Sequence, residues 1–345
     1  MKPIPAEDLD HIMAHMGGLW ERLRGKRIFL TGGTGLFGKW LTASFCSAND
    51  QLGLDAHLCI LTRTPERAKA VVPDIFCHPA VSLVQGDFRS FDYDVGEFSH
   101  IIHAANATGP SGEPLQGADV FHGNLAGVQR LLWFASRCGV QRLLNISSGA
   151  VYGPRPVISP HIADDAPLDL GVVNHSYPHS KRIGEMLVAI EAERLGFSAC
   201  SARCFAFVGP WLPLAGRYAI GNFIRDALTG GPIRVHGDGR SMRSYLYMSD
   251  LAIWLWTLLL IGRCGEAYNV GSDIPISSGA LASRVSAVVG QGAPIIVEGG
   301  TNPSWASPYY VPSTAKASQA FGLQALVSLP DAIARTAAWY RESGR

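Results

Sequence analysis

The run Thr31-Gly32-Gly33-Thr34-Gly35-Leu36-Phe37-Gly38 lies between an apolar segment, Lys26 to Thr31, and a helical pattern from Leu36 to about Asn49. Glycines at 32, 35 and 38 in a strand-to-helix turn commit the start of the chain to a parallel α/β sheet, because this spacing lets the chain reverse tightly and a helix pack back. A side chain at Gly32 or Gly35 is expected to hold the backbone away from a pyrophosphate, and one at Gly38 to push the helix off the sheet. The helix start, Leu36, Phe37 and Gly38, offers N–H groups and the positive end of a dipole to phosphate. A bound dinucleotide is the expectation; a tight turn without a ligand is the competing reading.

The pattern downstream extends the sheet. Ala56 to Leu61, Ser82 to Gln85, His100 to His103, Arg142 to Ile146 and Ala199 to Phe205 read as strands. Helical periodicity covers about Val120 to Cys138 and about Tyr177 to Leu195. Alternation of this kind predicts an α/β fold, a doubly wound parallel sheet with helices on both faces. After Gly209-Pro210 the pattern loosens into Gly- and Pro-rich loops with short helices, as expected of a smaller C-terminal α/β domain. The expected division is an N-terminal helical extension at 1–24, a nucleotide-binding domain at 25–208, and a mainly substrate-binding domain at 209–345, some of whose segments return to the large domain. In the extension, Leu9, Ile12, Met13, Met16, Leu19, Trp20 and Leu23 keep helical spacing, which predicts a helix packed on the body or on a partner subunit.

Charge excludes several partners. The 345 residues carry 29 basic and 28 acidic side chains, a net +1, with no basic cluster for nucleic acid or an anionic membrane. The longest apolar stretch, Leu251 to Ile261, is far short of the ~20 residues of a membrane span and predicts a buried helix. Cysteines 46, 59, 77, 138, 200, 204 and 264 show no Cys-x-x-Cys spacing, and the histidines no His-Glu-x-x-His. Reduced thiols, a cytoplasmic location and no metal are the expectations.

The candidate chemistry lies further along. Ser147 and Ser148 end the fifth strand, where parallel sheets present residues to the ligand crevice. Tyr177 and Lys181 are one helical turn apart and share a face. An ammonium beside a phenol stabilises phenolate and lowers its pKa from ~10. Tyr177 then gives or takes a hydroxyl proton as hydride passes to or from a nicotinamide, and a nearby serine holds the substrate oxygen. At the end of the second strand, where an acidic residue would favour NAD, the chain has Arg63, which suits the 2′-phosphate of NADP; NADP is modestly preferred and NAD kept open. Asp87, next to Phe88, either accepts from the adenine amino group or is an ordinary turn aspartate.

These segments resemble the extended short-chain dehydrogenase/reductase family, especially its nucleotide-sugar epimerases, reductases and dehydratases. The resemblance runs from about Lys26 through TGGTGLFG (31–38), HAAN (103–106), SSGAVYG (147–153), YPHSK (177–181), RCFAFVGP (203–210), HGDGRSMRSYLYMSDLA (236–252) and YNVGS (268–272). It implies a Rossmann-type sheet, with Ser148 the catalytic hydroxyl, Tyr177 the acid/base and Lys181 its activator. It implies cofactor contacts at Gly32, Gly35, Leu36, Phe37, Gly38, Arg63, Asp87, Phe88, Ala104, Ala105, Tyr177 and Lys181. Substrate contacts are implied at Thr108, Ser148 and Gly149, with Asn222 and Arg243 on the diphosphate of a nucleotide sugar. A homodimer built from the helices near 120–138 and 177–195 is implied too, with Leu131, Leu132, Trp133 and Phe134 as its apolar area unless these face their own sheet.

The resemblance also narrows the reaction. The family's 4,6-dehydratases carry an Asp-Glu pair after the catalytic hydroxyl, and its decarboxylases keep a Glu there; this chain has Gly149-Ala150, which cannot shuttle a proton. A 4-keto-sugar reductase is favoured, with a 4-epimerase holding NAD as the alternative and a dehydratase or non-catalytic sensor less favoured. Ala206 replaces a frequent Asn, and the late Arg-x-Gly-Asp is absent around Asn302 to Tyr309. Trp305, Tyr309 and Tyr310 there are candidates to stack on a base or sugar, or to pack in the core.

Overall fold

A computed structural model describes residues 2–93, 96–109, 115, 117–153, 161–167, 176–216, 218–290, 292–299 and 309–343. In chain order the first elements are α1 (Ala6–Met16), β1 (Arg27–Thr31), α2 (Leu36–Leu52), β2 (His57–Thr62), α3 (Pro65–Val71), α4 (Pro73–Phe76), β3 (Val81–Gln85), β4 (His100–His103), α5 (Gly117–Ala135), β5 (Arg142–Ser148), α6 (Ser176–Leu195) and β6 (Ser198–Cys204). They are followed by β7 (Phe207–Val208), α7 (Ala219–Leu228), β8 (Ile233–Val235), β9 (Met242–Arg243), β10 (Leu246–Tyr247), α8 (Met248–Ile261), β11 (Ala267–Val270), β12 (Ile276–Ser277), α9 (Ser278–Val288), β13 (Ile295–Val297), β14 (Tyr309–Tyr310), α10 (Ala315–Phe321) and α11 (Leu329–Glu342). Contacts divide the chain into one unit of Met1–Gly153, Leu168–Cys204 and Ala252–Tyr268, and a second of Pro154–Pro167, Phe205–Leu251 and Asn269–Arg345.

The first unit is organised by a seven-stranded sheet of order β11-β6-β5-β4-β1-β2-β3. Pairing is parallel from β3 through β2, β1, β4 and β5 to β6. Strand order reverses between β1 and β4, the Rossmann arrangement, and that reversal opens a crevice at the carboxyl ends of the strands. Ile28, Phe29 and Leu30 are all fully buried, as expected of a strand covered on both faces. On one face Phe29 packs on Phe134 of α5 with ring centroids 4.5 Å apart, inside a cluster with Leu131, Leu132, Val188 and Phe197. Trp256 of α8 donates to Ser44 of α2 at 2.9 Å. Arg142 caps the end of α8, donating to the carbonyls of Leu259 and Gly262 at 2.5 Å each.

The N-terminal extension packs on its own unit: Ile12, Met16, Trp20 and Leu23 are fully buried, and Trp20 lies 5.2 Å from Trp256. The expected single helix is broken. α1 ends at Gly17, whose φ of 47° favours glycine, and Gly17–Leu23 continues as a tighter 3₁₀ helix. Leu131, Leu132 and Phe134 of the expected dimer face belong to the core, while Trp133 is 37%, Met186 53% and Ile190 51% exposed.

The second unit holds small sheets, β7 with β10, β8 with β13, and β12-β9-β14. Asp250, fully buried, accepts from the N–H groups of Leu326 and Val327 at 2.9 and 3.0 Å and anchors the segment leading into α11. Among the described residues, no helix is long and apolar enough to cross a membrane.

Candidate active site

The glycine turn is built for close backbone approach. Gly32 has φ 73°, and a Cβ there would lie 2.5–2.6 Å from the backbone of Ala104 and Ala105, so the loop after β4 occupies that space. A Cβ on Gly38 would come within 2.3 Å of Gly33 Cα and 2.5 Å of Gly32 O. The atoms that a side chain at 38 would meet first are therefore those of the turn itself. Gly35, the N-cap of α2, supplies no side-chain cap of its own. This cradle fits a pyrophosphate.

Beyond it, a cavity of about 680 Å³ is lined by Arg63, Asp87, Arg89, Thr108, Asp119 and His122 among others. The Arg63 guanidinium is moored across it, donating to Gly109 O at 2.9 Å and Thr108 Oγ1 at 3.1 Å. Asp87 is gripped by Arg89 at 2.8 and 2.6 Å, and that bond holds its carboxyl below the usual carboxylate range. Phe88 lies 6.0 Å from the His103 ring. Ala104 and Ala105 run beside the glycine turn, and Ala105 N–H donates to Thr31 Oγ1 at 3.4 Å. Of the residues expected to hold the cofactor, the structure brings Gly32, Gly35, Gly38, Ala104 and Ala105 to one place, and it sets Arg63 and Asp87 in another with Thr108, which was expected at the substrate.

β5 and α6 carry the candidate catalytic residues Ser148, Tyr177 and Lys181. Lys181 is buried, and its Nζ donates to Ile146 O at 2.9 Å, two residues before Ser148. Burial pushes its pKa down to about 8, against the upward pull of Glu185. The ammonium lies 6.0 Å from the centre of the Tyr177 ring. Of the two serines, Ser147 is committed elsewhere, donating to Glu185 Oε1 at 2.6 Å. Ser148 Oγ accepts from Ala150 N–H at 3.2 Å, which leaves its own hydrogen to donate, and Gly149 sits in that turn. Asn222 Nδ2 donates to Gly216 O at 2.8 Å. Arg243 on β9 is in register with Tyr310 on β14, its guanidinium 5.1 Å from that ring, and Tyr310 is 4.6 Å from Phe205. Tyr309 is buried against His161; Trp305 lies outside the described residues.

Several residues escaped the sequence reading. His103 is buried, with Nδ1 2.8 Å from Thr31 Oγ1, and burial followed by the Lys181 charge lowers its pKa to about 3, so it is neutral. Asn124 ties α6 to the loop after β4, donating to Ser180 Oγ at 2.9 Å and accepting from Ala107 N–H at 2.7 Å. A polar residue amid the apolar face of α5 was the available signal. Glu185 and Arg203 form a buried pair beneath Ser147. Among the described residues, no group of three or more His, Cys, Asp or Glu side chains is placed to hold a metal ion.

A glycine turn at the head of a doubly wound parallel sheet, with a buried lysine one helical turn from a tyrosine on the helix after β5, makes a Rossmann-type arrangement. Residues 28–271 match the model of the NAD dependent epimerase/dehydratase family, and the chain belongs to that family. It is 26% identical to UDP-glucuronic acid decarboxylase 1 of Xenopus tropicalis over 325 residues, 92% of this chain and 72% of that protein. It is 25% identical to a dTDP-4-dehydro-6-deoxy-D-allose reductase of a Streptomyces species over 281 residues, 79% of this chain and 83% of that protein. A dTDP-glucose 4,6-dehydratase from Streptomyces venezuelae, solved with NAD bound, matches at TM-score 0.75 and 24% identity, covering 92% of this chain and 97% of that one. UDP-glucose 4-epimerase from Thermotoga maritima, solved with UDP-glucose, matches at TM-score 0.75 and 16% identity, covering 92% of this chain and all of that one (100%). At these identities the structural matches speak for the fold.

Proposed function

We propose that this protein reduces a keto group, most simply at C4, of a nucleotide-diphosphate sugar, using NADPH in preference to NADH. The observation that carries the reading is the buried Lys181 ammonium beside Tyr177 at the end of β5, next to a Ser148 turn whose following residues, Gly149 and Ala150, hold no carboxylate. A nicotinamide dinucleotide whose pyrophosphate sat at the glycine cradle would supply the hydride. Ser148 donates to the carbonyl oxygen of the substrate and fixes its direction. Tyr177 delivers a proton to that oxygen as it becomes an alcohol, and the Lys181 charge keeps the resulting phenolate accessible near neutral pH. Arg63 faces the 2′-phosphate, with Asp87 near the adenine. Arg243 and Asn222 receive the substrate diphosphate, where a guanidinium fork suits phosphate oxygens. Without an acid and base following Ser148, elimination of water has no proton shuttle, which sets the reading apart from the dehydratase relatives.

The protein acts as a homodimer through Trp133 of α5 and Met186 and Ile190 of α6, which leave apolar area exposed on two packed helices. The test of function is mass analysis of the purified protein for nicotinamide, followed by turnover with a nucleotide-linked 4-keto-sugar. Protein that arrives without cofactor and oxidises NADPH only with the keto-sugar supports the reading. Tightly retained NAD with interconversion of two 4-epimers replaces it with an epimerase.

A further inference from the structure

The Glu185–Arg203 ion pair is almost wholly buried, with side chains 5% and 6% exposed. Arg203 grips the carboxylate with Nε at 3.0 and 3.2 Å and Nη2 at 2.8 Å. Its remaining arm, Nη1, donates to Tyr152 OH at 2.7 Å. Arg182 adds a further bond to Glu185 Oε2 at 2.9 Å, and Ser147 donates to Oε1. The four elements so joined are the end of β5, the 3₁₀ turn after it, α6 and β6. Ser148 lies between Ser147 and Tyr152, so its segment is tied on both sides to one carboxylate–guanidinium pair. Glu185 is also one helical turn beyond Lys181. Stability alone does not explain such a pair, since apolar replacement of both partners is often neutral or stabilising.

We propose that the Glu185–Arg203 pair is the positioning element of the reaction site, fixing the Ser148 turn against Tyr177 and keeping an anion close to Lys181. This rests on the hydride-transfer reading above, in either direction. Neither residue touches substrate. The groups facing Lys181 are Tyr177 and Glu185 from its own helix, neutral His103 at the end of β4, and Cys204 on β6, whose thiol burial pushes far up and keeps protonated. Among these groups Glu185 is the carboxylate, ion-paired with Arg203, and it favours the Lys181 ammonium, so its loss makes that ammonium harder to sustain.

The experiment compares the full chain with the double variant Glu185→Leu/Arg203→Met, which removes both charges and keeps apolar volume. The expected result is a folded protein with unchanged cofactor affinity, kcat lower by roughly ten- to hundredfold, as misplacement of a reacting group produces, and little change in KM. The Tyr177 phenolate titration, read as a difference spectrum against Tyr177→Phe in each background, is expected to move up. Where the double variant does not fold, Arg203→Lys, which keeps the charge and gives up the fork, carries the same comparison. Equal kcat in wild type and a folded variant overturns the positioning role while leaving the function intact. Wild type without turnover on any nucleotide sugar sinks the functional reading instead, and the titration alone then decides, an unmoved Tyr177 transition refuting the proposal.

Discussion

Lys181→Met separates what the buried ammonium costs from what it contributes. At 6.0 Å from the Tyr177 ring centre, a unit charge acting through an effective dielectric of about 20 stabilises phenolate by about 2.8 kcal/mol, or about two pKa units. Without it, Tyr177 returns toward ~10 and proton transfer near neutrality slows by roughly 100-fold. Stability changes the other way. A native Lys181 pKa of about 8 against ~10.4 unfolded means that holding the charge costs roughly 3 kcal/mol below pH 8. Loss of the bond to Ile146 O returns about 1 kcal/mol of that, so the variant gains roughly 1–2 kcal/mol at neutral pH. For wild type the sign is set by linkage: between about pH 8 and ~10.4 the unfolded chain holds the extra proton, so stability rises with pH through that window. The assays are steady-state rate against pH and thermal unfolding of both proteins. A variant that is stabilised, slowed and shifted in its tyrosine limb agrees with the reasoning. A variant slowed less than about fivefold, with an unmoved pH limb, refutes it.

Tyr177→Phe is expected to abolish turnover while leaving cofactor affinity intact by fluorescence titration; unchanged turnover removes Tyr177 from the mechanism. Gly32→Ala places a methyl 2.5 Å from Ala104 C at a φ of 73°, so cofactor affinity should fall at least tenfold and stability by roughly 1–3 kcal/mol, as calorimetry can test. Arg63→Ala should weaken NADPH by roughly ten- to hundredfold while leaving NADH nearly unchanged; equal loss for both cofactors makes Arg63 a moor for the loop at Thr108–Gly109 only.

The parallel sheet was legible because its strands are runs such as Ile28-Phe29-Leu30 and Ile101-Ile102, bounded by turn residues and separated by helical periods. The cofactor turn was legible because glycine spacing is a local code. Long-range polar pairing is not local. Glu185 has a visible place one turn after Lys181, but its partner Arg203 lies in another element and Ser147 in a third. His103 looked like part of a resembling motif, and only burial against Thr31 shows that it is neutral. The break at Gly17 was hidden because a 3₁₀ turn kept Trp20 and Leu23 on the apolar face. The short strands β9 and β14 have two residues each, too few for a period; their pairing is what sets Arg243 beside Tyr310. Gly38 was recognised, but the atoms that demand it are those of Gly32 and Gly33.

Reduction with a nicotinamide deuterated on its transferring face follows the hydride itself. The full chain, given deuterated NADPH and a nucleotide-linked 4-keto-sugar, is expected to place one deuterium on the carbinol carbon per cofactor oxidised, and Tyr177→Phe none. A 4-epimer product without net cofactor oxidation, or oxidation with no deuterium in the sugar, contradicts it.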